Sequence, residues 1–465
     1  MGSLVVLACV AFIVHLFRAD GRDNPEVTPA LWVPMAWMFL AGSRYVTSWL
    51  SLGSPASAGS YDEGSPIDRA VFFVLLMAGL VVLYRRRLNW GELFSANKLL
   101  FFYLLYCLVS LAWSDEPFVA FKRWVKDLGN PVMAMVILTE PDPLKSLCAA
   151  LRRLSFLAFP LSVLFIRYFP DLGRAYHSDG SPMFTGIGHQ KNALGNMCLV
   201  SGIYFAWQLL VDRANYRTWR SGRKLEFWLL VAMLVWLLHM ADSSTSLGTL
   251  VMVIGVLLAS RLGFVTRQPE RLVPVLIFTA LALLCAETMF DLRTWALGML
   301  NRRPDLTNRT ELWDILFAID NNSVVGAGFM SFWTGDRMTQ IWARTGATVV
   351  QAHSGYVEQF LNLGYVGVAF IVLLMVRGVF GSRSLARTDA PFAHLKLCLV
   401  LAAAIYNYTE AAFYGVSNMW VLLLCGVIAV PASARSAMLA RAAGSPPKEP
   451  GSLAAAHDGA RRWPP

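Results

Sequence analysis

"QAHSGYVEQFLNLGYVG", residues 351–367, changes solvent in the middle of a sentence. It opens with a lone His353 and Ser354-Gly355-Tyr356. It then becomes an apolar run that carries a single acid, Glu358. Ser354 is a natural helix N-cap, and beyond Glu358 the run continues to Val376 with no further charge. The reading is a helix that starts in a polar layer and enters a bilayer. His353 is then either part of a chemical site or the polar lip of a buried helix.

The rest of the chain agrees. Of 465 residues 56% are hydrophobic and 15% charged, with a mean hydropathy of +0.50; an ordinary soluble domain is roughly 25% charged. Apolar stretches near the roughly 17–25 residues that cross a bilayer core recur from end to end. Thirteen candidate spans centre at about residues 10, 40, 77, 106, 134, 161, 201, 233, 253, 281, 368, 403 and 424, those near 10 and 134 being short, so twelve is the alternative count. The expected fold is an all-α polytopic bundle. Residues 1–435 form one transmembrane domain and 436–465, rich in Gly, Pro and Ala, a disordered cytoplasmic tail. The first span reads as uncleaved, because no Lys or Arg precedes "LVVLACVAFIVHLF" and no small-residue cleavage site follows it. The seven cysteines lie in or beside apolar runs without a C-x-x-C, and read as small core residues.

The net charge is +10. Lys and Arg crowd alternate loops: Arg85–Arg87, Lys145 with Arg152 and Arg153, Arg213 to Lys224, Arg261 to Arg271, Arg377 to Arg387, and the tail after Arg435. The positive-inside rule makes these cytoplasmic, with the N-terminus outside and the C-terminus inside. Outer loops 52–69, 241–244 and 413–416 carry only Arg69. Three others oppose the rule. Loop 114–127 holds Lys122, Arg123 and Lys126; loop 168–191 holds Arg174 and Lys191; loop 291–352 holds Arg293, Arg302, Arg303, Arg309, Arg337 and Arg344. Long loops escape the rule, which covers the last loop but not the first two. The other reading is that the cations serve a ligand.

Helix starts sharpen that reading. "LTNRTELWDILFAI" offers Asn308 as N-cap with Glu311 three residues on, a capping-box spacing. Arg309 then falls in the first turn, where a cation is disfavoured unless an anion docks. "GHQKNALG" places His189 and Lys191 beside Asn192 as a cap; "AHSG" places His353 beside Ser354; "KDLGNPVM" offers Asn130 as cap and Pro131 at the first helical position. All four helix ends belong to one outer face. If they converge, the ligand is strongly anionic, and a phosphate fits. Asp242 and Glu410 end spans on the same side, either as functional groups or as partners of a buried Arg or Tyr.

"GHQKNALG", "LTNRTELW", "GAGFMSFW", "AHSGYVEQFLNLGYVG" and "YNYTEAAF" stand in the order and spacing of the O-antigen ligase and polymerase superfamily, and the chain resembles it over residues 70–430, most of all the exopolysaccharide repeat-unit polymerases. One departure is Asn308, where that family often has Gly. The resemblance implies a bacterial inner-membrane glycosyltransferase. Its site is periplasmic and its donor a glycan on undecaprenyl pyrophosphate. Transfer inverts the anomeric centre and needs neither nucleotide sugar, metal nor cofactor. It also implies membrane lipid, a flippase and chain-length regulators as companions, and no nucleic acid. Arg309 and His353 are the expected catalytic pair. Lys191, His189, Arg123 and Asn192 are expected at the pyrophosphate, Tyr356 at a sugar, and Glu410 at the donor. A ligase acting on lipid A core or protein is the alternative within the class. A polysaccharide or lipid transporter is the alternative outside it; transporters often carry internal repeats and midplane polar residues, and neither stands out here. No P-loop, dinucleotide fingerprint or H-E-x-x-H occurs. His177 with Asp179 is a weak metal pair, and His15, His239, His394 and His457 stand apart from acid or Cys clusters. Loop 291–352 is expected to form one or two short helices as a lid over a cavity open to the bilayer.

Overall fold

Local chemistry sets where the helices begin. Ser65, Asp142, Ser243, Ser354 and Asp389 each accept a first-turn backbone N–H, which satisfies donors that a helix cannot pair within itself. The computed structural model describes residues 2–50, 65–176, 180–290 and 309–431. The expected tail, Asn308, His177, Asp179, Arg293, Arg302, Arg303 and residues 52–64 of loop 52–69 lie outside them.

The chain is an all-α, multi-pass membrane protein. Its principal helices are α1 (Gly2–Asp23), α2 (Trp32–Gly42), α3 (Pro66–Arg85), α4 (Lys98–Val109), α5 (Pro117–Asp127), α6 (Gly129–Leu138), α7 (Pro143–Tyr168) and α8 (Lys191–Leu210). They continue as α9 (Ser221–Ala241), α10 (Ser244–Ala259), α11 (Leu272–Phe290), α12 (Arg309–Phe317), α13 (Gly335–Thr345), α14 (Gly355–Leu385), α15 (Ala390–Thr409) and α16 (Asn418–Val427). A short antiparallel hairpin, β1 (Arg174–Tyr176) with β2 (Pro182–Phe184), pairs Ala175 with Met183 between α7 and α8.

All thirteen expected segments are helical, but they are not thirteen equal spans. Among the described residues eight helices are long and apolar enough to cross a membrane: α1, α3, α7, α8, α9, α11, α14 and α15. Trp90–Ala96 meets α4 at a bend of 88°; counted as one span, the pair brings the number to nine. The expected spans near 40, 134, 253 and 424 are shorter helices. Burial explains much of this. Every residue of α16 is buried, as is nearly every residue of α6, and both pack on α2. A ten-residue helix spans roughly 15 Å, half a hydrocarbon core. It serves here because protein, not lipid, surrounds it. The long α1, α3, α9 and α11 carry the exposed apolar side chains, such as Phe278 and Val235.

The two ends of the bundle differ. At one, Arg86 bonds Glu140, which also accepts from Thr28 at 2.8 Å, and Arg152 and Arg153 both bond Asp20. The other carries α5, the hairpin, α12, α13 and the segment 410–417; it is called the loop face below.

On the loop face α12, α13 and the start of α14 share a small core of Leu316, Ile319, Phe332, Ile341, Ala352 and Leu361. The described part of loop 291–352 thus holds two short helices, as expected. Helix α14 is broken at Gly364, whose φ of 63° and ψ of −164° are not helical. Segment 323–328 crosses the break. Ala327 and Gly328 donate to the carbonyls of Leu361 and Asn362 at 3.1 and 2.9 Å, and the N–H groups of Tyr365 and Val366 donate to Ser323 and Val324 at 2.9 and 3.2 Å. Backbone groups freed by the break are thus paired, as a low-dielectric setting demands. The approach is backbone to backbone: a Cβ on Gly364 would lie 2.2 Å from Val324, and one on Gly326 2.4 Å from Asn362.

Candidate functional site

The site is built outward from Arg309, the first residue of α12. Its guanidinium bonds the Thr409 carbonyl and the His353 carbonyl, the latter at 3.3 Å, and reaches Glu410 Oε1 at 3.2 Å. The same carboxylate oxygen accepts from Asn192 Nδ2 at 2.7 Å, in the first turn of α8. The Gly355 N–H, at the start of α14, donates to the Glu410 carbonyl at 2.9 Å. Three helix starts and the end of α15 therefore meet around one buried acid. The fourth start joins a few residues on, where Asn130 of α6 donates to the Gly415 carbonyl at 2.8 Å.

The details correct two expected caps. Helix α8 is capped at Gln190, and Asn192 lies inside its first turn with its amide turned to Glu410. Helix α6 begins at Gly129, so Asn130 and Pro131 are both already helical; Asn130 holds Asp127 and accepts from Trp37 at 3.1 Å. Ser354 caps α14 as expected.

His353 sits in the left-handed region at φ 53°, which is costly for a residue with a Cβ. Its half-buried ring has a buried Nδ1 with no hydrogen-bond partner among the described residues. Burial, and then the Arg309 charge, hold its pKa below the ordinary histidine value. The imidazole is therefore neutral near pH 7. Burial also raises the Glu410 pKa, against the pull of Arg309. Met330 repeats the His353 geometry: at φ 50°, its carbonyl accepts from Arg123 at 2.5 Å.

The remaining expected residues share the face without touching Arg309. Lys191 lies 3.6 Å from Asp242, the left-handed cap of α9. The His189 ring stands edge-on to Tyr45 at 6.0 Å between centroids. Its pKa is lowered by burial and by Arg44. Tyr356 does not offer a free hydroxyl: it donates to the Ala404 carbonyl at 2.9 Å, and its ring packs on Phe413.

Three contributors were given no place in the site from the sequence. Glu358 is fully buried; it accepts from the Ala352 N–H at 2.6 Å and from Trp333 Nε1 at 2.9 Å, and bonds Tyr414. It fixes the backbone next to His353. Its signal was being the one acid in an apolar run. Arg44 bonds the Leu172 carbonyl, and Lys126 lies over the rings of Tyr45 and Phe72 at 5.0 and 4.8 Å; both add positive charge to the loop face.

Beside Thr409 a groove of about 570 Å³ runs down between α10 and α15. Thr245 and Thr409 hydroxyls stand 2.7 Å apart at its upper end, and Gly248, Thr249, Ala404, Ile405 and Tyr356 are among the residues that line the rest. Neither a family model nor a curated protein matches the chain.

Proposed function

We propose that the protein is a bacterial inner-membrane glycosyltransferase. It would extend a glycan by transferring it from a polyprenyl diphosphate carrier at the periplasmic face, which is the loop face. One observation carries the reading: a half-buried arginine and a neutral histidine, its Nδ1 unpartnered among the described residues, meet where three helix starts converge. Helix starts and a guanidinium together favour an anion with several oxygens. A guanidinium carries five N–H groups; among the described residues Arg309 makes three bonds, to His353, Thr409 and Glu410.

The step is an inverting displacement. An acceptor hydroxyl attacks the anomeric carbon as the bond to the diphosphate oxygen breaks. His353 takes the hydroxyl proton, and the electron pair leaves on the diphosphate. Arg309 stabilises that growing charge, which is usually a large catalytic contribution. Asn192 and Glu410 position Arg309. A base that is neutral near pH 7 suits the proton transfer.

The test is purified protein in liposomes with its host's diphosphate-linked repeat unit, a metal chelator present. A ladder of lengthened lipid-linked glycans is expected, absent with His353→Asn and Arg309→Ala. Asn tolerates the left-handed backbone, so His353→Asn separates loss of the base from loss of fold. A full ladder from folded His353→Asn would remove His353 from the mechanism. No ladder from folded wild type would end the polymerase reading, and addition of lipid A core would then test a ligase.

A further inference from the structure

At the end away from the loop face, α1 and α9 each pack on α7 and are tied to one another by polar pairs. His15 bonds Glu226 at 2.9 Å, and Asp23 lies 3.5 Å from both Arg220 and Arg223. A cavity of about 30 Å³ lies among the three helices. Asp20 and Asp23 of α1, Arg152 of α7, Trp219, and Arg223 and Glu226 of α9 line it, and the rest of its lining is apolar. The transfer reading uses none of them.

The charges around this cavity do not balance. Asp20 is shared by Arg152 and Arg153, and Asp23 by Arg220 and Arg223, so four guanidinium groups share two carboxylates. The third acid, Glu226, is held by His15. At 3.5 Å the pair between Arg223 and Asp23 is loose, since a charge-assisted hydrogen bond closes to roughly 2.7–2.9 Å. The Arg223 guanidinium lies over the Trp219 ring at 3.9 Å, a cation–π contact that holds it in place. Trp219 is only 7% exposed, and its buried Nε1 has no hydrogen-bond partner among the described residues. Such a donor is costly to leave unmade. Excess positive charge and an orphan N–H beside a small cavity point to an anion. The space would seat roughly two waters, or the two free oxygens of a phosphodiester. The surroundings favour a lipid source. Helices α1 and α9 present exposed apolar side chains, Val14 on one and Leu225, Trp228 and Leu229 on the other, a surface for acyl chains. Lys and Arg crowd this end at 213–224, the mark of a cytoplasmic side, where basic pockets between helices take anionic head groups.

We propose that this cavity binds the phosphate of an anionic phospholipid from the leaflet at this end, held by Arg223 and the Trp219 N–H. The proposal does not rest on the transfer reading. Trp219→Phe keeps the aromatic packing and every charge and removes only the N–H, so it separates this site from general attraction to a basic protein. Arg223→Gln removes the cation. Delipidated protein in neutral detergent is titrated with dioleoyl phosphatidylglycerol and, separately, with dioleoyl phosphatidylcholine, and bound lipid is counted by native mass spectrometry. Wild type should hold one phosphatidylglycerol about tenfold more tightly than phosphatidylcholine, the scale of one hydrogen bond to a charged group. Each of the two variants should erase most of that preference, and Arg213→Gln, at an exposed cation of the same loop, should keep it. An undiminished preference in either folded variant, or none in wild type, would overturn the proposal and leave the cavity to water. Inorganic phosphate binding as tightly as phosphatidylglycerol would overturn the lipid source and make the cavity a site for free phosphate.

Discussion

At the scale of single residues, Glu410 decides more than its position at a helix end suggests. It is the only carboxylate bonded to Arg309 among the described residues, and both side chains are largely buried. Removing one partner from such a pair leaves an uncompensated buried charge, at a cost of about 3 kcal/mol. Glu410→Gln should therefore lower the melting temperature of the purified protein by several degrees as well as abolish transfer; an unchanged melt would mean the pair is not structural. His353 sets the pH response. The unfolded chain takes up its proton near pH 6.5, whereas the folded imidazole does so only at lower pH. Acidification through pH 6.5 thus favours the unfolded state, and at still lower pH protonates the base. Transfer rates should fall on the acid side with an apparent pKa below 6.5, and this limb should vanish from any residual activity of His353→Asn.

At the scale of elements, the break in α14 is the most exacting feature. Gly364→Ala would set a Cβ 2.2 Å from the Val324 backbone, at a φ that L side chains rarely adopt. A cost of about 3 kcal/mol or more is expected from strain and clash together, seen as lost yield of folded protein. Val372→Ala, exposed in the same helix and away from that crossing, should be tolerated. The break also shows where sequence reasoning stops. Ser354 as a cap and Arg309 at a helix start were readable, because each depends on neighbours three or four residues away. The role of "GAGFMSFW" was not, since its glycines answer to Asn362 and Gly364 in another segment. Nor could hydropathy separate α6 and α16 from true spans: a leucine looks the same to lipid and to a protein interior. Asn192 was placed at the right helix start but two residues off, and that shift turns a cap into a hydrogen-bond partner of Glu410.

At the scale of the whole molecule, the long α7, α8 and α15 share the buried centre with the short α6 and α16, while α1, α3, α9 and α11 are largely exposed. The orientation assigned above is checked by labelling. In a background with Cys9 and Cys285 changed to Ser, Thr339→Cys on the exposed side of α13 should react with an impermeant maleimide on intact spheroplasts, and Ala214→Cys only after permeabilisation. The reverse pattern would place the loop face in the cytoplasm and end the periplasmic reading. The interrupted α14 bears also on how the chain is made. Its 31 residues would reach roughly 46 Å if straight, well beyond a hydrocarbon core of about 30 Å. The insertion machinery meets a segment too long for the bilayer. The piece that must hold its excess outside, residues 323–328, is synthesised first. Chain order thus puts the splint in place before the helix that needs it arrives, and the nine residues ahead of Gly364 settle against α12 and α13 instead of sinking into lipid.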